Sequence, residues 1–304
     1  MGLAEKDKYI AEVLRSIPEL SRAALSWLPL SGGITNENFL VTVGQKKLVL
    51  RLGGRQTELL GINRIFESET IKLTSALGIS PRVIFADANK GILLSQYVEG
   101  RTLSPEWCLE EEVFQRIART IRRLHEIPFV PGRFCVFKTV RDYHKLCLAR
   151  KGNPLPADFS VALAMLSKIE EALSRETALV PCHNDLLSSN FIDDGKHLWL
   201  LDWEYAGMGD LFFDLGNFAA HQELSEPLCL KLLGLYFGTV SDKRHAHFQL
   251  MFAVSDMREA MWGFSQSLLS TIDFDYVGYG NKYYQRFMLK ISQPGFKDWL
   301  KGLG

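Results

Sequence analysis

Residues 183 to 214 read HNDLLSSNFIDDGKHLWLLDWEYAGMGDLFFD, in which Asp and Asn residues flank two short apolar runs, Phe191-Ile192 and Leu198 to Leu201. Between the runs stands Asp193-Asp194-Gly195-Lys196, a hairpin turn sequence. Centring the turn on Asp194-Gly195 pairs Asn190 with about Trp199. Asp202 then lies three residues beyond that mate, roughly 10 Å along the strand. Such a hairpin gathers Asp185, Asn190 and Asp202 at one end. A hard divalent cation such as Mg²⁺ takes a few oxygen ligands and fills its shell with water and phosphate oxygens. Asn190 and Asp202 can supply the ligands, which leaves Asp185 to accept a proton. Taken singly, each of these residues reads as a local hydrogen-bonding residue near a turn; the set of polar residues together at strand ends reads as a site.

The elements around this passage come in a definite order. An amphipathic opening helix precedes residues 28 to 52, where Phe39, Val41 and Val43 alternate before Gly44-Gln45 and Leu48, Leu50 and Leu52 alternate after it. Period-two alternation on both sides of a turn predicts a β-hairpin. Arg64 to Leu77 has helical spacing and stops at Gly78 and Pro81, and RVIFA and GILLSQY read as further strands. Beyond Tyr97, Ser104-Pro105 offers an N-cap and first-turn proline for a helix carrying Val113, Ile117, Ile121 and Leu124 on one face. Leu163, Leu166, Ile169 and Leu173 mark another helix, and the chain is helical and aromatic-rich from about Glu226. The expectation is an α+β chain of two lobes: a small antiparallel-sheet lobe over 1–97 and a larger, mainly helical lobe over 98–304.

Composition narrows the function. The 304 residues are 47% apolar and 23% charged, with Lys plus Arg and Asp plus Glu both at 35. A folded protein without the basic excess of nucleic-acid binders follows. Five widely spaced cysteines without a CxxC pair read as reduced thiols, and no apolar run approaches the ~20 residues that span a bilayer. The expectation is a cytoplasmic protein with no nucleic-acid partner and no membrane insertion. The zero net charge is a cancellation, because residues 183 to 214 hold seven acids against Lys196 alone.

His183-Asn184-Asp185 with Asn190, Leu201-Asp202-Trp203-Glu204-Tyr205-Ala206 and Asp214-Leu215-Gly216-Asn217 closely resemble the motifs of the choline/ethanolamine kinase family. Ser31-Gly32-Gly33-Ile34-Thr35-Asn36-Glu37-Asn38 and Leu48-Val49-Leu50-Arg51-Leu52 extend the match over nearly the whole chain. The chain resembles a bacterial-type choline kinase within the group that also holds aminoglycoside phosphotransferases. The resemblance implies a bilobal protein-kinase-like fold and transfer of the γ-phosphate of ATP, with Mg²⁺, to the hydroxyl of choline or ethanolamine. Thiamine, methylthioribose and aminoglycosides are the rival acceptors, and a catalytically silent kinase-like binding module is the rival class.

On this resemblance Asp185 is the base, Asn190 and Asp202 hold Mg²⁺, His183 braces the loop through backbone bonds, and Asp214 accepts hydrogen bonds from the loop. Asp214 also reads as a helix N-cap. Ser31, Gly32, Gly33, Thr35, Asn36 and Asn38 would approach the nucleotide phosphates. Arg51, on the strand face opposite Leu50 and Leu52, stands where protein kinases carry lysine and suits bidentate phosphate contact. Its expected partner is Glu67, with Glu69 as the rival on another helix face. Gln96 and Val98 would offer backbone groups to adenine. Eight aromatics stand between Trp262 and Phe287. A quaternary ammonium is held by ring faces and a nearby carboxylate, which makes Trp262, Tyr276 and Tyr279 the cage candidates and Glu204 the anion. Packing in the helix core is the other reading of each ring. Many choline kinases carry a second tryptophan three residues after the first; here that position is Ser265.

Overall fold

In the computed structural model, residues 3–30, 36–54, 57–173 and 178–302 are described. After helix α1 (Leu3–Ser16) come strands β1 (Leu25–Leu30), β2 (Glu37–Val43) and β3 (Lys46–Leu52), helix α2 (Arg64–Ala76), then β4 (Val83–Asp87) and β5 (Ile92–Gln96). The strands form one antiparallel sheet in the order β1-β2-β3-β5-β4. The turn at Gly44-Gln45 joins β2 to β3 as the alternation predicts, with Gly44 at φ 59°, a left-handed conformation open to glycine. Phe39, Val41, Leu48, Leu50 and Leu52 are buried in one cluster with Ile10 and Leu14 of α1 and with Ile17 just after it. That burial fixes the sheet register, because a one-residue slip would turn every one of these side chains to the other face. Arg51, between Leu50 and Leu52, consequently faces α2.

The rest is mainly helical: α3 (Pro105–Cys108), α4 (Glu111–His125), α5 (Val136–Ala149), α6 (Phe159–Leu173), α7 (Leu211–His221), α8 (Glu226–Phe237), α9 (Asp242–Leu269), α10 (Tyr276–Ser292) and α11 (Phe296–Lys301). Short strands interrupt it: β6 (Arg101–Thr102), β7 (Val180–Cys182), β8 (Phe191–Asp193), β9 (Leu198–Leu200) and β10 (Gly207–Gly209). β6 pairs with the β8–β9 hairpin, and β7 pairs with β10. Among the described residues no helix is long and apolar enough to cross a membrane. All five cysteines are free thiols.

Three local expectations are corrected. Ser104 does cap a helix, its hydroxyl accepting from the Trp107 amide, but that helix is the single turn α3. The Leu109 amide bends back to the Glu106 carbonyl, and α4 starts afresh at Glu111. Both pieces thereby bury their apolar residues, Cys108 and Val113, in one core. Helix α5, absent from the sequence reading, buries Val136, Phe137, Val140, Tyr143 and Cys147. The β8–β9 turn is wider than expected: Phe191 pairs with Leu200 and Ile192 with Trp199. Asp194 causes this, since its carboxylate accepts from the Lys196 and His197 amides and the Trp199 indole, closing a four-residue loop. Asn190 therefore meets Leu201, whose amide donates to its carbonyl at 2.9 Å. Asp202 lies one residue past that mate, not three.

Candidate active site

The loop between β7 and β8 carries His183, Asn184, Asp185 and Asn190, and buried bonds fix its shape from below. Asp214 is fully buried, and its two carboxylate oxygens accept from the His183 amide at 2.8 Å and the Asn184 amide at 2.6 Å. His125 Nε2, 3.0 Å from Asp214 Oδ2, and the Tyr236 hydroxyl, 2.7 Å from His125 Nδ1, anchor that carboxylate from α4 and α8. Asp214 does not cap α7: Asp210 is the N-cap, accepting from the Phe212 amide, and Asp214 sits a turn further in. Asn217 Oδ1 accepts from the Leu186 amide at 2.6 Å. Gly216 lets α7 press onto α9, since a Cβ there would lie 2.7 Å from the Phe252 backbone nitrogen.

His183 Nε2 donates to the Leu201 carbonyl at 2.8 Å, tying the loop to the end of the hairpin. Burial lowers the imidazole pKa, which keeps it neutral. Asn184 at φ 66° and Asp202 at φ 62° both hold left-handed backbone, which Asn and Asp tolerate better than other non-glycine residues. Asn190 Nδ2 donates to the Asp185 carbonyl at 2.8 Å, so Oδ1 is the amide's remaining group. The Asp185 side chain, 14% exposed, accepts from Arg258 Nη1 at 3.0 Å through Oδ1.

Across from this loop stands Arg51. One guanidinium nitrogen pairs with Glu67 and the other lies 3.3 Å from Asp202. Glu67 is buried and Glu69 exposed, so the geometry selects Glu67. Burial disfavours the Arg51 charge, yet Glu67, Glu204 and Asp202 together hold it protonated more firmly than usual. The carboxylate oxygens of Glu67, Asp202 and Glu204 come within 4.8 Å of one another. Partial desolvation, followed by the nearby Glu204 charge, raises the Asp202 carboxyl pKa above its ordinary value. Hard oxygen donors under this mutual repulsion fit a divalent cation, whose charge relieves it.

Glu204 does not face the aromatic residues. Its Oε1 accepts from Arg64 Nη1 at 2.5 Å and from Asn36 Nδ2 at 2.7 Å. A buried carboxylate so placed is committed to Arg64 and Asn36, which corrects its expected role as the anion of a cation cage. Asn36 is likewise committed inward, its Oδ1 accepting from Arg64 Nη2 and the Gly54 amide. Asn38 stands opposite Arg51 across β2–β3. Ser31, Gly32, Gly33 and Thr35 lie outside the described residues. The Gln96 amide donates to the Arg82 carbonyl and the Tyr97 amide to Lys47, so neither is available to a ligand; Val98 follows them in the connecting loop.

The aromatic candidates do come together. Trp262 on α9 meets Tyr276 and Tyr279 of α10 edge-on, with ring centroids 5.9 and 5.5 Å away. The helices approach closely because Gly263 faces Gly280; a Cβ on Gly263 would lie 2.9 Å from the Gly280 nitrogen. Trp262 and Tyr276 are buried and Tyr279 is half-buried. The carboxylate beside them is Glu259, which accepts from the Tyr279 hydroxyl at 2.7 Å. Arg64, Arg258 and Glu259 are thus site residues absent from the sequence reading. A charged pair inside the apolar run FAVSDMREAMWGF was the available signal for the last two.

The family model described as choline/ethanolamine kinase matches residues 28–225. Protein LicA of Haemophilus influenzae is 30% identical over 223 residues, which cover 72% of this chain and 65% of that protein. Ethanolamine kinase 2 of Rattus norvegicus is 28% identical, covering 92% of this chain and 82% of its own. A solved structure of a choline/ethanolamine kinase family protein from Mesorhizobium loti superposes with a TM-score of 0.84 at 27% identity, over 98% of each chain.

Proposed function

The chain belongs to the choline/ethanolamine kinase family, and from that premise we propose that it is an ATP- and Mg²⁺-dependent kinase that phosphorylates the hydroxyl of choline or ethanolamine. The observation that carries the proposal is the gathering of Asp185, Asn190 and Asp202 at the end of the β8–β9 hairpin, opposite the Arg51–Glu67 pair. Phosphoryl transfer asks for positioning and charge neutralisation, and these residues supply both.

In this reading residues 1–97 carry the nucleotide and residues 98–304 the catalytic loop and acceptor. Arg51, fixed by Glu67, approaches the nucleotide phosphates as a planar fork. Asn190 Oδ1 and the Asp202 carboxylate hold Mg²⁺, which when bound offsets the charge of the phosphate oxygens. Asp185 orients the acceptor hydroxyl and takes its proton as the hydroxyl oxygen bonds to the γ-phosphorus. The bond from that phosphorus to the β–γ bridging oxygen breaks, and ADP leaves. Asp214, with His125 and Tyr236 behind it, keeps the loop in place. Trp262, Tyr276 and Tyr279 offer ring faces to the ammonium group, with Glu259 in the position first expected for Glu204. A cytoplasmic location fits the requirement for ATP and the five free thiols.

The test is ATP turnover with Mg²⁺ across choline, ethanolamine, thiamine and kanamycin. Turnover with choline or ethanolamine is expected, and silence with all four would leave a nucleotide-binding module. Asp185→Asn should lose transfer by about 10²–10⁴-fold while binding MgATP nearly normally; full activity in this variant would remove the base assignment.

A further inference from the structure

One face of α9 carries Ser255, Arg258, Glu259 and Trp262 at positions i, i+3, i+4 and i+7. Arg258 bonds Asp185 directly, while Ser255 and Glu259 act on the loop one step back, through Asn217 and Arg258. Asn217 Nδ2 donates to the Ser255 hydroxyl at 3.1 Å, and the same Asn217 holds the Leu186 amide. One turn later, Arg258 Nη1 donates both to Asp185 Oδ1 at 3.0 Å and to the Glu259 carboxylate. The Arg258 side chain is only 2% exposed, with its guanidinium carbon 4.3 Å from the centre of the Tyr205 ring. Glu259, 3% exposed, is fixed in turn by the Tyr279 hydroxyl, with the His221 imidazole 3.6 Å away. Burial would raise its carboxyl pKa, but Arg258 and then His221 hold it well below the ordinary range.

Burying a charged triad is a poor route to stability, because well-packed apolar residues do as well or better. Its geometry serves another end. We infer that Arg258 is a positioning residue for Asp185, locked in turn by Glu259 and Tyr279. With Oδ1 held, Oδ2 is the oxygen left to meet the acceptor hydroxyl, and the carboxylate keeps one orientation before substrate arrives. Positional errors of about 1 Å at a reacting group cost on the order of 10²-fold in rate, which gives the guanidinium a function that an apolar side chain could not replace. The inference rests on the reading of Asp185 as the base.

The test is a kinetic double-mutant cycle between Arg258→Lys and Asp185→Asn, with folding checked by thermal melting. Lysine keeps the charge but lacks the length and rigid plane of the guanidinium, so its flexible ammonium does not stand where Nη1 meets both Asp185 and Glu259. In the parent, Arg258→Lys should lower kcat by about 10- to 100-fold and leave KM for MgATP within about twofold. In the Asp185→Asn background the same change should alter kcat by less than about twofold, since residues that act as a unit are not additive. Equal losses in both backgrounds, or an unchanged kcat in the parent, would overturn the inference and leave the base assignment standing. Full activity of Asp185→Asn alone would overturn both. If Arg258→Lys fails to fold, Glu259→Gln takes its place in the cycle under the same criteria.

Discussion

Glu204→Gln separates the two accounts of that residue. Expected from sequence to face the acceptor's cation, its carboxylate is instead bonded to Arg64 and Asn36 beside Asp202 and Glu67. The three carboxylates bring oxygens within 4.8 Å of one another, and two unit charges at that separation repel by about 3 kcal/mol at an effective dielectric of about 20. Asp202 keeps 36% of its side chain exposed, so solvent screening leaves roughly 1 to 2 kcal/mol. Neutralising Glu204 removes that repulsion from the metal-free protein and removes as much of the drive to recruit a cation. The Mg²⁺ concentration for half-maximal rate should therefore rise by about 5- to 30-fold. The glutamine oxygen can still accept from Asn36 and Arg64; losing the charge assistance costs about 1 to 2 kcal/mol, which the relieved repulsion offsets, so the Tm of the metal-free protein should change little. The assay is a Mg²⁺ titration of phosphoryl transfer at saturating acceptor, paired with an acceptor titration at saturating Mg²⁺. An acceptor KM raised tenfold with an unchanged Mg²⁺ midpoint would refute the reasoning.

Three further outcomes are expected. Trp262→Phe should raise the acceptor KM by about 3- to 10-fold, within the range of a ring–cation contact, and leave that of MgATP unchanged; equal shifts in both would mark Trp262 as packing only. Gly216→Ala should destabilise by about 1 to 3 kcal/mol, as overpacking does, because its Cβ would meet the α9 backbone; a melting curve matching the parent would contradict the close approach. Burial raises the Asp194 carboxyl pKa, but bonds from the His197 amide, the Trp199 indole and the Lys196 amide outweigh it and lower the pKa from 3.8 to about 2. A depressed carboxyl stabilises the fold above its unfolded pKa and loses that contribution as pH falls. The stability gap between parent and Asp194→Asn should therefore shrink between pH 3.8 and about 2, and a gap constant with pH would show that the ionised form is not what the turn uses.

What could be read in advance was local. The β2–β3 hairpin follows from Gly44 and two alternating runs, and α2 follows from its spacing and the stop at Gly78 and Pro81; its cap, Asn63, came only with the fold. Helix faces showed that only one of Glu67 and Glu69 could meet Arg51, and the fold selects Glu67. Charge partners across the fold were not legible. Glu204 finds Arg64 and Asn36 at separations of 140 and 168 residues, and Asp185 finds Arg258 at 73. No local pattern states which buried arginine will meet which carboxylate. The β8–β9 register failed for a related reason: Asp194 satisfies three donors at once, including the Trp199 side chain, and so prefers a longer loop than turn composition suggests. The acid excess of residues 183 to 214 is met in the fold by Arg51, Arg64, Arg116 and Arg258, all from outside that passage.

Arg258 and Trp262 are carried by the same helix, four residues or about 6 Å of rise apart. The group that steadies the hydroxyl end of an acceptor and the ring proposed for its ammonium end therefore share one rigid gauge. Discrimination by chain length would then be set by helix pitch, so that homologous amino alcohols lengthened one methylene at a time fall progressively out of step. Loop substitutions elsewhere could tune affinity for the acceptor, but they would leave that calibration unchanged.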